Sequence, residues 1–251
     1  PVIADGDGVF FDIYLTGSYK VVLKDKNDVQ IWESDPVIET LNSSTSAVYF
    51  DTVADMVAST SSEIGDSVVT LGYLAIGDGG DNQYDIVAAA TGTADGGSFI
   101  DLDTHQAKGL FPGDKHIDLQ WGCAYDDATD DAAARQAAID YLEANAGGTL
   151  FLGIGTSYNT ATLDIQQNTI SLKGQGGLAT VLSCLSCNGI DFCSAAYDGG
   201  SSYFEDFSLV GRTGSDPNYA AIQSILPPGG VSGTDSRDGL HFNRIRFYDW
   251  N

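Results

Sequence analysis

Residues 121–152 read WGCAYDDATDDAAARQAAIDYLEANAGGTLFL, and this stretch constrains the chain more than any other. From Asp130 onward, Ala134, Ala137, Ala138, Tyr141 and Leu142 recur at helical spacing on one side, with Gln136, Asp140 and Glu143 opposite. That pattern predicts an amphipathic helix of about four turns. Thr129, Asp130 and Asp131 stand at its start, short oxygen-bearing side chains suited to accept unpaired amides and to place negative charge at the positive end of the dipole. No Glu or Gln completes a capping box there. Asn145 and the pair Gly147-Gly148 can take the left-handed conformation that closes a helix, and a β-type run, 149–152, follows at once. Asp126, Asp130 and Asp131 read first as turn and cap residues; a paired-carboxylate acid/base site is the alternative.

On both sides of this helix the chain is β-like. Downstream, short apolar runs at 149–152, 163–165, 170–172, 181–182, 190–192, 204–209 and 241–247 alternate with Gly- and Asn-containing turns. Within them, Phe207 and Leu209, or Ile245 and Phe247, can point into a common core while their neighbours face out. Stacked parallel coils require this cadence, with loops such as 211–238 inserted between them. Upstream, strands are predicted at 10–15, 19–23 and 29–33, the last ended by Asp35-Pro36, followed by a polar linker over 41–46. A helical turn is predicted at 52–57 and a strand pair, broken at Gly72, over 65–74.

Charge bounds the partners. Lys plus Arg number 11 against 35 Asp plus Glu, a formal charge of −24, so the surface repels nucleic acid and anionic membranes. No run approaches the roughly 18 apolar residues of a membrane span. The four cysteines, 123, 184, 187 and 193, include Cys184-x-x-Cys187, half of a zinc site by spacing; free buried thiols are the competing reading and the one adopted. The run Gly77-Asp78-Gly79-Gly80 lacks the Lys-Ser/Thr and helix of a phosphate loop. It reads as a hairpin, with a calcium turn through Asp78, Asp81, Asn82 and Asp85 as the alternative. No metal or cofactor is expected.

Two resemblances rest on these residues. Trp121-Gly122-Cys123, Asp126, Thr129-Asp130-Asp131, Ala133 through Ile139 and Gly147-Gly148-Thr149-Leu150-Phe151 resemble, in order and spacing, the opening of the pectate-lyase-like right-handed β-helix family. Asp127 stands where that pattern has the second Gly of Gly-Asp-Gly, and 153–158 where it has Pro-Gly-x-Tyr. In that family the helix is a lid over the first coil. Tyr19 to Asp25 with Ile31 to Val37 resemble the head-end module of phage tailspike and tail-fibre proteins. Thr52 to Met56, Gly65-Asp66, 70–73, 77–80 and 96–100 resemble the small β domain that precedes the β-helix in many tailspikes.

The resemblances imply a mainly β chain with three parts. Residues 1–46 form a virion-proximal β module and linker, 47–115 a small β domain, and 116–251 the capping helix and first coils of a right-handed parallel, pectin-lyase-like β-helix. The absence of an initial Met and the strand-like 241–251 suggest a piece of a longer polypeptide. The resemblances further imply a homotrimeric bacteriophage tailspike or tail-fibre protein, assembled in the host cytoplasm, attached through its N-terminus to the tail or baseplate. Its β-helix would bind, and in many relatives cleave, bacterial surface polysaccharide. Any depolymerase site, hydrolase or lyase, is expected beyond Asn251, so no catalytic residue is nominated. His241, Arg244, Arg246 and Trp250, mixed charge beside aromatics, are the glycan-binding candidates; an ordinary coil surface or a trimer contact is the alternative. A secreted bacterial β-helix lyase or hydrolase, and a non-catalytic adhesin, are the rival functions.

Overall fold

The computed structural model describes residues 19–24, 30–37, 47–111, 115–166, 170–184, 187–192, 202–211, 220–224 and 240–248. The expected strand at 10–15, the linker at 41–46, Cys193, and Trp250 lie outside these. The chain divides into two units, Pro1–Ser46 and Ala47–Asn251. In the first, β1 (Tyr19–Lys24) and β2 (Gln30–Val37) pair antiparallel. Pro36 does not end the strand as the sequence suggested, because it sits where the register shifts between Tyr19 and Val21, a place that demands no ladder amide of it.

The second unit opens with β3 (Val48–Phe50), α1 (Val53–Ala58), β4 (Ser67–Thr70), β5 (Asn82–Ala88), β6 (Phe99–Asp101) and β7 (His105–Leu110), a five-stranded sheet ordered β3-β4-β5-β7-β6. α1 crosses between the parallel β3 and β4 and is held at its start by a reciprocal capping box, Thr52 and Asp55 each accepting the other's amide. Its buried Val53 and Met56 close over Val68, Tyr84, Ile86, Ile100 and Ala107. The predicted strand pair over 65–74 is one strand: beyond Thr70 the chain turns back, and the Asp78 carboxylate accepts the amides of Tyr73 (3.1 Å), Leu74 (2.7 Å), Ala75 (2.9 Å) and Gly80 (2.8 Å).

The rest is a parallel β-helix. β8 (His116–Ile117) and β9 (Asp126–Asp130) precede α2 (Ala132–Ala144). Three coils follow: β10 (Gly148–Phe151), β11 (Gly155–Asn159), β12 (Leu163–Ile165); then β13 (Ile170–Lys173), β14 (Thr180–Cys184), β15 (Ile190–Phe192); then β16 (Ser202–Glu205), β17 (Ser208–Gly211), β18 (Ile222–Ser224). β19 (Leu240–Asn243) and β20 (Arg246–Tyr248) begin a fourth. Equivalent strands stack into three parallel sheets, β8-β10-β13-β16-β19, β9-β11-β14-β17-β20 and β12-β15-β18. Leu150, Leu172 and Phe204 form one inward ladder, Leu182 and Leu209 a second, Leu163 and Ile190 a third, and all are buried.

The second coil has the three strands expected from 170–172, 181–182 and 190–192, whereas the first coil has three where the sequence suggested two, 149–152 and 163–165. Within 153–158, where the family pattern has Pro-Gly-x-Tyr, the chain enters β11, whose inward Ser157 and Asn159 are satisfied inside the solenoid rather than by apolar packing. The runs 204–209 and 241–247 are each two strands, broken at Asp206 (φ 64°) and Arg244 (φ 53°). A left-handed residue turns the chain by the angle between two sheets, which an unbroken strand cannot do.

Candidate functional site

Alternation along the strands of the sheet β8-β10-β13-β16-β19 places Leu150, Leu172 and Phe204 inside, and therefore Thr149 and Phe151, Ser171 and Lys173, Tyr203 and Glu205, His241 and Asn243 outside. Parallel register stacks these into two outward columns. One runs Thr149, Ser171, Tyr203, His241; the other runs Phe151, Lys173, Glu205, Asn243. Thr149, Phe151, Ser171, Lys173, Tyr203 and Glu205 line a groove of about 220 Å³. Tyr203 and His241 stack with ring centres 4.6 Å apart and 11° between planes. The opposite face of Tyr203 looks along the column toward the small Ser171, whose Oγ accepts the Tyr203 amide at 3.0 Å. Across the groove Lys173 Nζ pairs with Glu205 Oε2 at 3.3 Å, and Asn243 donates to Glu205 Oε1 at 3.2 Å. Those bonds, from Asn243 first and Lys173 second, hold the Glu205 carboxyl below the usual range.

Of the four residues nominated from sequence, His241 belongs to this face. Arg244 lies in the turn after β19 and makes a two-pronged ion pair with Asp206 one coil back, its Nη2 2.6 Å from Oδ2. Arg246, on β20, lies across Gly177 on a different sheet. Trp250 is outside the described residues. Phe151, Lys173, Tyr203 and Glu205 were missed, because they are dispersed in sequence and meet only through coil register. The available signal was the x-position between two inward apolar residues of each strand, as in Leu150-Phe151-Leu152.

The lid helix carries a second polar cluster, wholly buried. Arg135 Nε donates to Asp118 Oδ2 at 2.9 Å and Nη1 to Asn159 Oδ1 at 2.7 Å, while Tyr125 Oη donates to Asp118 at 2.6 Å and the Gly153 amide to its Oδ1 at 3.0 Å. Burial pushes the Asp118 carboxyl upward against the pull of Arg135. Asp131 stands at the N-cap position, yet its carboxylate turns back to the amides of Ala124 (2.7 Å) and Tyr125 (3.3 Å). Asp130 takes the helix amide of Ala132 at 3.1 Å and the Thr160 amide at 3.1 Å. Thr129 donates its amide and hydroxyl to Asp126 at 2.7 and 2.8 Å. Partial burial presses Asp130 upward, but the Thr160 and Ala132 donors outweigh it and leave its pKa lowered; the Thr129 and Ala128 donors lower that of Asp126. These carboxylates close turns and tie the lid to the first coil.

Among the described residues no group of three or more His, Cys, Asp or Glu could hold a metal, and no helix is long and apolar enough to cross a membrane. Cys123, Cys184 and Cys187 are buried and form no disulfide. Burial raises the Cys123 pKa, and the hydrogen bond with Cys187, then burial, raises that of Cys184, so both remain protonated.

No protein-family model and no curated protein matches the chain. Solved structures do. A Pantoea stewartii glycan biofilm-modifying enzyme with a bacteriophage tailspike-like parallel β-helix fold is similar over 92% of this chain and 33% of its own, at 14% identity and TM-score 0.58. The full-length tailspike protein 2 of a bacteriophage of Escherichia coli O157:H7 is similar over 98% and 36%, at 16% identity and TM-score 0.55. An Acinetobacter phage tailspike protein is similar over 80% and 38%, at 15% identity and TM-score 0.56. The chain thus shares the parallel β-helix fold of these proteins and spans about a third of the length of each.

Proposed function

We propose that the chain is the virion-proximal part of a homotrimeric bacteriophage tail appendage, a tailspike or tail fibre, that presents a β-helix to bacterial surface polysaccharide. Within it, residues 1–46 serve as the anchor to tail or baseplate, 47–115 as a connecting β domain, and 116–251 as the lid and first coils. The observation that carries the reading is the outer face of the sheet from β10 to β19: a stacked ring pair beside a Lys173–Glu205 pair, on a fold shared with tailspikes. Aromatic faces and fixed polar pairs are what a polyhydroxylated ligand needs, and a surface of charge −24 leaves nucleic acid and anionic membrane as poor partners. Assembly in the host cytoplasm accords with the reduced buried thiols.

Cleavage is assigned to no residue of this chain. Hydrogen bonds from Asn243 and Lys173 lower the Glu205 pKa and Arg244 lowers that of Asp206, so these two carboxyls are poorly suited to give the proton that glycoside hydrolysis requires. A bacterial glycan-modifying enzyme is the second reading, favoured by the Pantoea stewartii likeness. Two measurements on the full-length protein decide. Detergent-resistant trimers sedimenting with virions are expected, and their absence from virions transfers the assignment to the bacterial enzyme. Host capsule or lipopolysaccharide is expected to bind saturably; no binding to any surface polysaccharide of the host overturns the reading.

A further inference from the structure

Granting that this face binds glycan, we infer that the groove between Phe151 and Tyr203 is a subsite for a single neutral sugar ring, and that it rejects uronic and other acidic sugars. Size comes first. At about 220 Å³ the groove is smaller than the roughly 300–1,000 Å³ of pockets that take drug-sized ligands, a size suited to one pyranose ring and its hydroxyls. The stacking platform is already in place, because His241 backs Tyr203 on one face and fixes its plane, so the other face meets a ligand with little ordering cost. Tyr203 is 44% exposed, and the neighbours toward which its free face looks, Ser171 and Thr149, are the smallest side chains in the column.

The polar side of the groove sets the charge of the ligand. Lys173 donates and Glu205 accepts, 3.3 Å apart, so two adjacent hydroxyls of a sugar can each find a charged partner of the right kind, one accepting from Lys173 and one donating to Glu205. A sugar carboxylate beside the Lys173–Glu205 pair gains from Lys173 and loses to Glu205 at nearly the same distance, so these two Coulomb contributions largely cancel; Lys115, its Nζ 5.7 Å from the centre of the Phe151 ring, is a further cation at the β8–β10 end of the groove. The hydrogen bonds from Asn243 and Lys173 favour the ionised form of Glu205. The net charge of −24 adds a repulsion at longer range. Ser171 and Thr149 hydroxyls at the floor serve further sugar hydroxyls and offer no cation.

The test uses the whole chain and three probes, methyl α-glucoside, methyl α-galactoside and methyl α-glucuronide, read by saturation-transfer NMR and calorimetry. At least one neutral glycoside is expected to bind and the glucuronide not. Tyr203→Ala is expected to weaken the neutral probe about tenfold, Tyr203→Phe to retain it, and Glu205→Gln to weaken it while admitting the glucuronide. Glucuronide binding equal to or tighter than both neutral probes, or neutral binding unmoved by Tyr203→Ala in a variant with unchanged circular dichroism, overturns the inference. A parallel arm titrates purified capsular polysaccharides, neutral and uronate-containing. Polysaccharide binding that ignores Tyr203→Ala sinks the subsite and spares the proposed function; binding to none of them sinks both.

Discussion

Arg135 shows how one residue can fasten an element. It is fully buried on the core side of α2, bonded to Asp118 and Asn159 and lying over the Tyr125 ring at 5.3 Å. Arg135→Met leaves the Asp118 charge buried without its partner, and we expect a loss of about 3–5 kcal/mol in denaturant unfolding. Adding Asp118→Leu is expected to recover part of that loss, because it removes the unpaired charge but leaves the buried Tyr125 hydroxyl and Gly153 amide without their acceptor. A double variant no more stable than Arg135→Met shows that the pair is not the fastening. The sequence indicated that positions 134–142 make a helix, but an arginine among alanines gives no sign of facing inward. Its partner Asp118 lies seventeen residues away on the far side of β9, and only the fold joins them.

The helix as an element was legible from its periodicity and its breakers, and the chain just past its C-cap carries an avoidable strain. Ala146 has φ 68°, in the left-handed region that disfavours side chains, ahead of Gly147 at φ 89°. Ala146→Gly is therefore expected to stabilise by up to about 1 kcal/mol, seen as a higher urea midpoint at unchanged slope. The turns behave differently. Asp78, Asp126 and Asp130 all have folded pKa values lowered, Asp78 by four backbone amides that outweigh its partial burial. An unfolded Asp titrates near 3.9, so the native state binds fewer protons there; the stability these groups give is complete above about pH 4 and is lost as pH falls through their lowered values. Melting temperature followed from about pH 6 to 2 is expected to drop on the acid side, and less steeply in Asp78→Asn. An identical acid limb in that variant removes Asp78 from the account.

Across the whole molecule the excess of 24 negative charges opposes compaction. Raising NaCl from about 10 to about 150 mM shortens the screening length from ~30 to ~8 Å, so the melting temperature is expected to rise; a flat response means that charges are paired locally rather than repelling at range. By itself the sequence determined the class of structure. Spaced apolar pairs demand stacked strands, one bounded Ala-rich segment demands a helix, and the charge narrows the partners, all because these depend on periodicity and composition within a few residues; that the helix caps the coils was implied by the family resemblance. The tertiary structure alone decided the groove. Phe151, Lys173, Tyr203 and Glu205 come from three coils whose spacing is set by intervening loops of unequal length, and which outward residues become neighbours depends on parallel register, a quantity fixed when Leu150, Leu172 and Phe204 align inside the solenoid.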